Sequence, residues 1–161
     1  MEQDRALRVL EFIKIRDMLA ANAVTGAGAE KCLALVPCAD VSEARRALDE
    51  TEEAVVLLTW LGGHPLVGFS DVRASIALAK KGACLGPRAL LDVSAFLRAA
   101  RAARAALVRD RQDTPILTGL AARLTVQESI ENDINNAIIS EEEIADRASS
   151  ELYQIRRQIR G

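Results

Sequence analysis

Few residues in this chain are of kinds that carry chemistry, and their spacing limits what they can do. His64 is the only histidine, so a histidine-rich metal site or an acid–base mechanism using two imidazoles cannot be assembled. Cys32, Cys38 and Cys84 form no Cys-x-x-Cys pair. With one histidine they fall short of the ligand spacing a zinc site needs. Glu141, Glu142, Glu143 and Asp146 form the densest carboxylate group. Paired carboxylates can hold a proton between them because each raises the pKa of its neighbour, but a run on an acidic turn reads as solvated charge. Gly26 and Gly28 lack the third glycine of a dinucleotide fingerprint, and Lys31 does not follow a glycine as a phosphate-cradling loop requires. No serine stands in a Gly-x-Ser-x-Gly context. The sequence therefore offers no catalytic, cofactor-binding or metal-ligating residue.

Two arginine groupings remain. Arg98, Arg101, Arg104, Arg109 and Arg111 fall on one long predicted helix, but at 100° per residue they scatter around its circumference and read as a solvated surface. Arg156, Arg157 and Arg160 cluster more tightly near the end of the chain. They are the candidate nucleic-acid contacts; pairing with acids on a neighbouring element, or plain solvation, accounts for them equally well. The chain as a whole, at a formal net charge of −2, lacks the electrostatic footprint of a phosphate-backbone binder.

The elements that position these residues are helical. Half of the 161 residues are hydrophobic, aromatics are 3%, and alanine is frequent, a composition for closely packed helices and not for a sandwich or barrel. The length suits one core. The odd cysteine count, the polar opening and the lack of a long apolar run predict a cytoplasmic chain with no membrane segment.

The organising stretch is Asp40 to Leu61. Val41, Ala44, Leu48, Thr51, Val55 and Leu58 alternate steps of three and four, Ala47, Ala54 and Leu61 widen the stripe, and charged residues take the other side. That pattern predicts a helix with one buried face, capped by Asp40 in a capping box with Glu43 and stopped by Gly62-Gly63. Other helices are expected from Gln3 to Ala23 with a break near Glu11-Phe12, from Thr25 to Leu35, from Ser70 or Asp71 to Ala79, and from Pro87 to about Asp110. The last of these is expected to pack against the central helix, its Leu90, Val93 and Leu97 facing inward and its alanines admitting a close neighbour. Thr114-Pro115 starts a further helix, and a Thr125–Glu128 capping box another, carrying Ile130, Ile134 and Ile138. Glu143-Ile144-Ala145 reads as a short extended piece. Ser149 or Ser150 then caps a final helix with Leu152, Ile155 and Ile159 on its apolar side, expected to continue beyond Gly161.

Four stretches in this order resemble one family, the bacterial MutS-two endonucleases, which are MutS paralogues carrying a Smr domain. They are Leu10-Glu11-Phe12 with Ile15 and Leu19; Leu35-Val36-Pro37 leading to Glu50-Thr51-Glu52-Glu53-Ala54; Gly68-Phe69-Ser70-Asp71-Val72-Arg73 with Gly82 to Leu91; and Ile144 to Leu152 with Ile155 to Arg160. Where the family has an acidic residue followed by glycine before the segment like Ile144-Ala145-Asp146, this chain has Glu142-Glu143. The resemblance implies an all-α multi-helix bundle from the N-terminal part of a MutS core and lever region: a helical core over residues 1–148 and the start of a lever helix over 149–161. It also implies that the mismatch-reading domain is missing and that the clamp, the ATPase domain and the Smr nuclease lie outside this segment.

The implied role is mechanical: a rigid segment of a homodimeric ATPase that binds branched DNA in recombination control, or stalled ribosomes in quality control. ATP and Mg would be cofactors of the parent and not of this segment, whose partners would be the remainder of the parent chain and, through it, nucleic acid. The alternative is a self-contained helical module for protein–protein interaction or dimerisation.

Overall fold

The computed structural model describes residues 7–108 and 114–160. The chain divides into two compact units, one ending at Gly68 and one beginning at Phe69. Among the described residues the regular structure is helical, with one isolated antiparallel bridge between Ile138 and Ile144. The all-α expectation is met.

In the first unit, residues 7–9 are helical and the chain turns at 10–11 before α1 (Phe12–Ala21). Glu11 makes the expected break by taking φ 50°, a left-handed conformation uncommon for a residue with a Cβ. Thr25 then caps α2 (Gly26–Leu33), its Oγ1 accepting from the Gly28 amide at 3.0 Å, and α2 packs on α1. Pro37 lies beyond the helix end, as its missing N–H requires.

The long helix α3 (Val41–Leu61) begins where the Asp40 carboxylate accepts from the amides of Ser42 and Glu43, at 2.8 and 3.1 Å. A bond from the Ser42 hydroxyl to the same carboxylate adds to this. These bonds hold the Asp40 carboxyl below its usual range, the Ser42 hydroxyl contributing most. The return bond from Glu43 is not formed among the described residues. Gly62 closes the helix at φ 69°, where a residue without a Cβ is unstrained.

The burial expected of α3 is overturned. Only Leu57 is buried, whereas Val41 is 66%, Leu48 68% and Val55 57% exposed. Heptad spacing identifies which side of a helix is apolar; it does not supply a partner within the same chain. The other long helix, expected to pack on this stripe, belongs to the second unit.

That second unit holds most of the buried side chains. It opens with Phe69, whose ring meets Phe96 edge-on at 5.1 Å between centroids. The Asp71 carboxylate accepts from the Arg73 amide at 2.9 Å at the start of α4 (Arg73–Lys80), and Gly82 follows at φ 80°. Gly86 and Pro87 then start α5 (Pro87–Leu107). The predicted extension to Asp110, with Arg109 and Arg111, falls outside the described residues. The side chains α5 buries fully are small: Ser94, Ala99 and Ala103. The bulkier Leu90, Val93 and Leu97 are half-buried.

Small residues let α6 (Pro115–Ala122) and α7 (Glu128–Ala137) approach α5 closely. Leu117, Ala121, Ile134 and Ile138 complete this core, while Ile130, expected inside, is 47% exposed. The Thr125–Glu128 capping box is not formed: the residue before α7 is Gln127, without a side-chain cap. The extended piece appears as expected, with the Ala145 amide donating to the Ala137 carbonyl at 2.8 Å. A 3-10 turn (Asp146–Ala148) packs against both α7 and the final helix α8 (Ser150–Arg160).

Candidate nucleic-acid interface

The arginines singled out in the sequence lie on α8, whose position depends on a short chain of local contacts. Ser149 caps it, its Oγ accepting from the Leu152 amide at 3.0 Å. One turn later Tyr153 projects from the helix, 53% exposed. Arg156 and Arg160, four residues apart, share a face. The preceding 3-10 turn carries Asp146 to that face.

Asp146 binds both arginines. Arg156 Nη1 donates to Asp146 Oδ1 at 2.5 Å and to the Ile144 carbonyl at 2.8 Å, and Arg160 Nη1 donates to Asp146 Oδ2 at 3.1 Å. Together they hold the Asp146 carboxyl below its usual range, the Arg156 hydrogen bond contributing most, against partial desolvation that acts the other way. Arg157 lies about 100° around the helix from Arg156 and is exposed. Asp146, Tyr153, Arg156, Arg157 and Arg160 line an open cleft of about 310 Å³. Three guanidinium groups face one carboxylate there, so the cleft is positive. It suits a phosphate oxygen, with Tyr153 offering a ring for stacking.

The three predicted residues are thus brought together, but Arg156 and Arg160 are committed to Asp146, while Arg157 is exposed on the cleft wall. Tyr153 escaped the sequence reading, and Asp146 entered it only within a solvated carboxylate run, not as the partner of these arginines. The ten-residue separation of Asp146 and Arg156 spans a helix start, so no helical period connects them. The signal available was a carboxylate just upstream of a Ser-capped helix carrying arginines.

Arg101, read from the sequence as solvated, is instead half of an interhelical bridge. Its Nε and Nη2 donate to Glu131 Oε2 and Oε1, each at 3.0 Å. Glu131 is 5% exposed, and the Arg101 hydrogen bond holds its carboxyl below the usual range despite desolvation. Arg98 stands 3.8 Å from the same carboxylate. This group is internal bracing on α5 and α7, distinct from the cleft.

The remaining sequence candidates are scattered. Cys38 and Cys84 are exposed and Cys32 half-buried, all as free thiols. Among the described residues no three His, Cys, Asp or Glu side chains converge as metal ligands. Glu141 pairs with Arg88 at 2.8 Å on the surface. No helix among the described residues is long and apolar enough to cross a membrane.

No family model matches the chain. Comparison with curated proteins finds similarity to Endonuclease MutS2 of Clostridium botulinum (strain 657 / Type Ba4), 41% identical over 160 residues. Similarity extends to those of Clostridium perfringens (strain SM101 / Type A) and Clostridium beijerinckii, each 38% identical over 159 residues. Each match takes in 98% of this chain and 20% of the relative, so the chain spans about a fifth of the length of the curated relatives it matches. The chain is therefore a homologue of one segment of the Endonuclease MutS2 proteins.

Proposed function

We propose that this chain is the core and initial lever segment of a MutS-type ATPase that binds nucleic acid, and that it transmits motion without performing a reaction. In this reading residues 1–148 form the core and 149–161 begin the lever. The parent acts in the cytoplasm as a homodimer on branched DNA or on stalled ribosomes, with ATP and Mg bound outside this segment. The observation that carries the reading is the seating of α8. Asp146 and the Ile144 carbonyl fix Arg156 at its root, so a displacement of the helix pulls directly on the turn and, through Ala145 and Ala137, on α7. A strut joined to a packed base in this way transmits force where a loop would absorb it. The positive cleft at the same joint supplies a place for a phosphate backbone.

The test is a titration of fluorescently labelled four-way-junction DNA, and separately of ribosomes, with the chain and its Arg157→Ala variant. Binding that weakens with salt, and whose salt slope falls by about one on removing Arg157, supports the reading. Absence of binding to both targets, or a variant indistinguishable from the parent, refutes the role of the cleft.

A further inference from the structure

Tyr153, Arg156, Arg157 and Arg160 stand at steps of three and four along α8, so at 100° per residue all four fall within about 100° of arc. Glu151, the acid of this helix, lies about 160° around from Tyr153, and Leu152, Ile155 and Ile159 take a separate flank. The stripe has an order along the axis. The ring comes first, Arg157 follows one turn later at about 6 Å of rise, and Arg160 about 4.5 Å beyond it. The Tyr153 ring is half exposed. Arg156 is tied to the Ile144 carbonyl and to Asp146, whereas Arg160 spends one donor on Asp146 Oδ2 and its side chain is 70% exposed, which leaves most of its N–H groups open. Arg157, on the cleft wall, is exposed.

We propose that this cleft takes an unpaired nucleotide of a single strand, its base stacked on the Tyr153 ring and the adjoining phosphates held by Arg157 and Arg160. The proposal rests on the nucleic-acid reading above and narrows it from a phosphate backbone in general to a single-stranded segment. The ring decides this. Guanidinium groups alone hold the phosphates of any duplex, but the faces of paired bases are covered by their neighbours, and a side chain stacks only on a base that is splayed out. The cleft, at about 310 Å³, lies at the small end of ligand sites, which run roughly 300–1,000 Å³. That is a size for one nucleotide and not for a paired helix. Asp146 biases the track: its carboxylate occupies Arg156 and repels a phosphate from that end, which directs the strand towards Arg157. Stacking is indifferent to the sugar, so DNA and RNA strands both qualify.

The test titrates the whole 161-residue chain into fluorescently labelled oligothymidylate, oligouridylate and a thymidylate–adenylate duplex of the same length, all at one low salt concentration. The single strands are expected to bind about tenfold more tightly than the duplex. Tyr153→Leu, on an exposed position, is expected to weaken single-strand binding about tenfold through loss of one base–aromatic stack and to leave the duplex unchanged. Tyr153→Phe keeps the ring and should bind as the parent does; circular dichroism checks that both variants retain their helix content. The ring protons of Tyr153, the one tyrosine of the chain, should shift upfield on adding oligothymidylate. A preference between thymidylate and uridylate, in either direction, supports the proposal and names the strand. Equal binding of strand and duplex, or a Tyr153→Leu variant that matches the parent while Arg157→Ala still weakens binding, overturns this inference and leaves the nucleic-acid reading standing. No binding to any of the three overturns both.

Discussion

Arg101 and Glu131 face each other through two parallel hydrogen bonds of 3.0 Å, joining α5 to α7 across 30 residues of sequence. The carboxylate is 5% exposed, whereas the guanidinium remains partly wet. Such a pair is weakly stabilising as a pair but costly to break on one side, because the survivor stays buried with only the looser Arg98 contact at 3.8 Å to offset its charge. Arg101→Met is therefore expected to lower the melting temperature by roughly 3–6 °C, and the double variant Arg101→Met with Glu131→Met by less. Calorimetry of the three proteins checks the order.

Acid should weaken the second unit through three carboxylates. Glu131, Asp146 and Asp71 all have folded pKa values depressed by arginine hydrogen bonds, Asp71 to about 2 by its contacts with Arg73. Groups of this kind contribute stability that is complete above their unfolded values, 4.5 for Glu131 and 3.8 for the two aspartates. It is lost as the pH falls through the lower folded values. Stability should thus decline from about pH 4.5 downward, and the carboxyl carbon shifts of Asp71 should titrate near 2.

Asp146→Asn would leave Arg156 and Arg160 without their anionic partner while keeping the side-chain shape. Hydrogen exchange at the amides of α8 is expected to accelerate, with those of α5 and α7 unchanged. The same substitution makes the cleft more positive, so in the proposed nucleic-acid reading the affinity should rise while order is lost. A purely structural role predicts the first effect without the second.

Thr25→Ala should cost about 1 kcal/mol, the usual loss when a helix N-cap is removed. Gly82→Ala should cost a comparable ~1 kcal/mol, since its φ of 80° suits a residue without a Cβ although space around it is open. Urea titration measures both. A neutral Gly82→Ala would mean that the turn relaxes to negative φ.

The positions of the helices were legible because their ends are chemically marked. Thr25, Asp40 and Ser149 accept amide bonds where the sequence places caps, and Gly62 and Gly82 take the left-handed turns that end helices. The Thr125 cap failed because the chain is irregular from 124 to 127 and Gln127 takes the place before the helix. Burial was harder to read. Periodicity found the apolar side of α3 but not that Leu57 alone of that helix is buried, and on α5 the tightest packing falls on Ser94 and two alanines, which no hydrophobicity pattern highlights. The arginines of α8 were legible as a cluster, yet their restraint by Asp146 depends on a turn that carries the chain back on itself. Contacts across such turns leave no periodic trace.

Ser94, the largest side chain sealed wholly from solvent among the described residues, donates through Oγ to Asn135 Oδ1 at 2.8 Å from α5 to α7. A greasy contact tolerates translation of one rod along another, whereas a lone buried hydroxyl matched to a single amide oxygen has no equivalent partner one turn away. With the Arg101–Glu131 pair holding the same two rods at a second point, sliding would strand the polar atoms and rocking would pull the ion pair apart. Whatever load reaches the pair should therefore be met by both rods together, as one stiff piece.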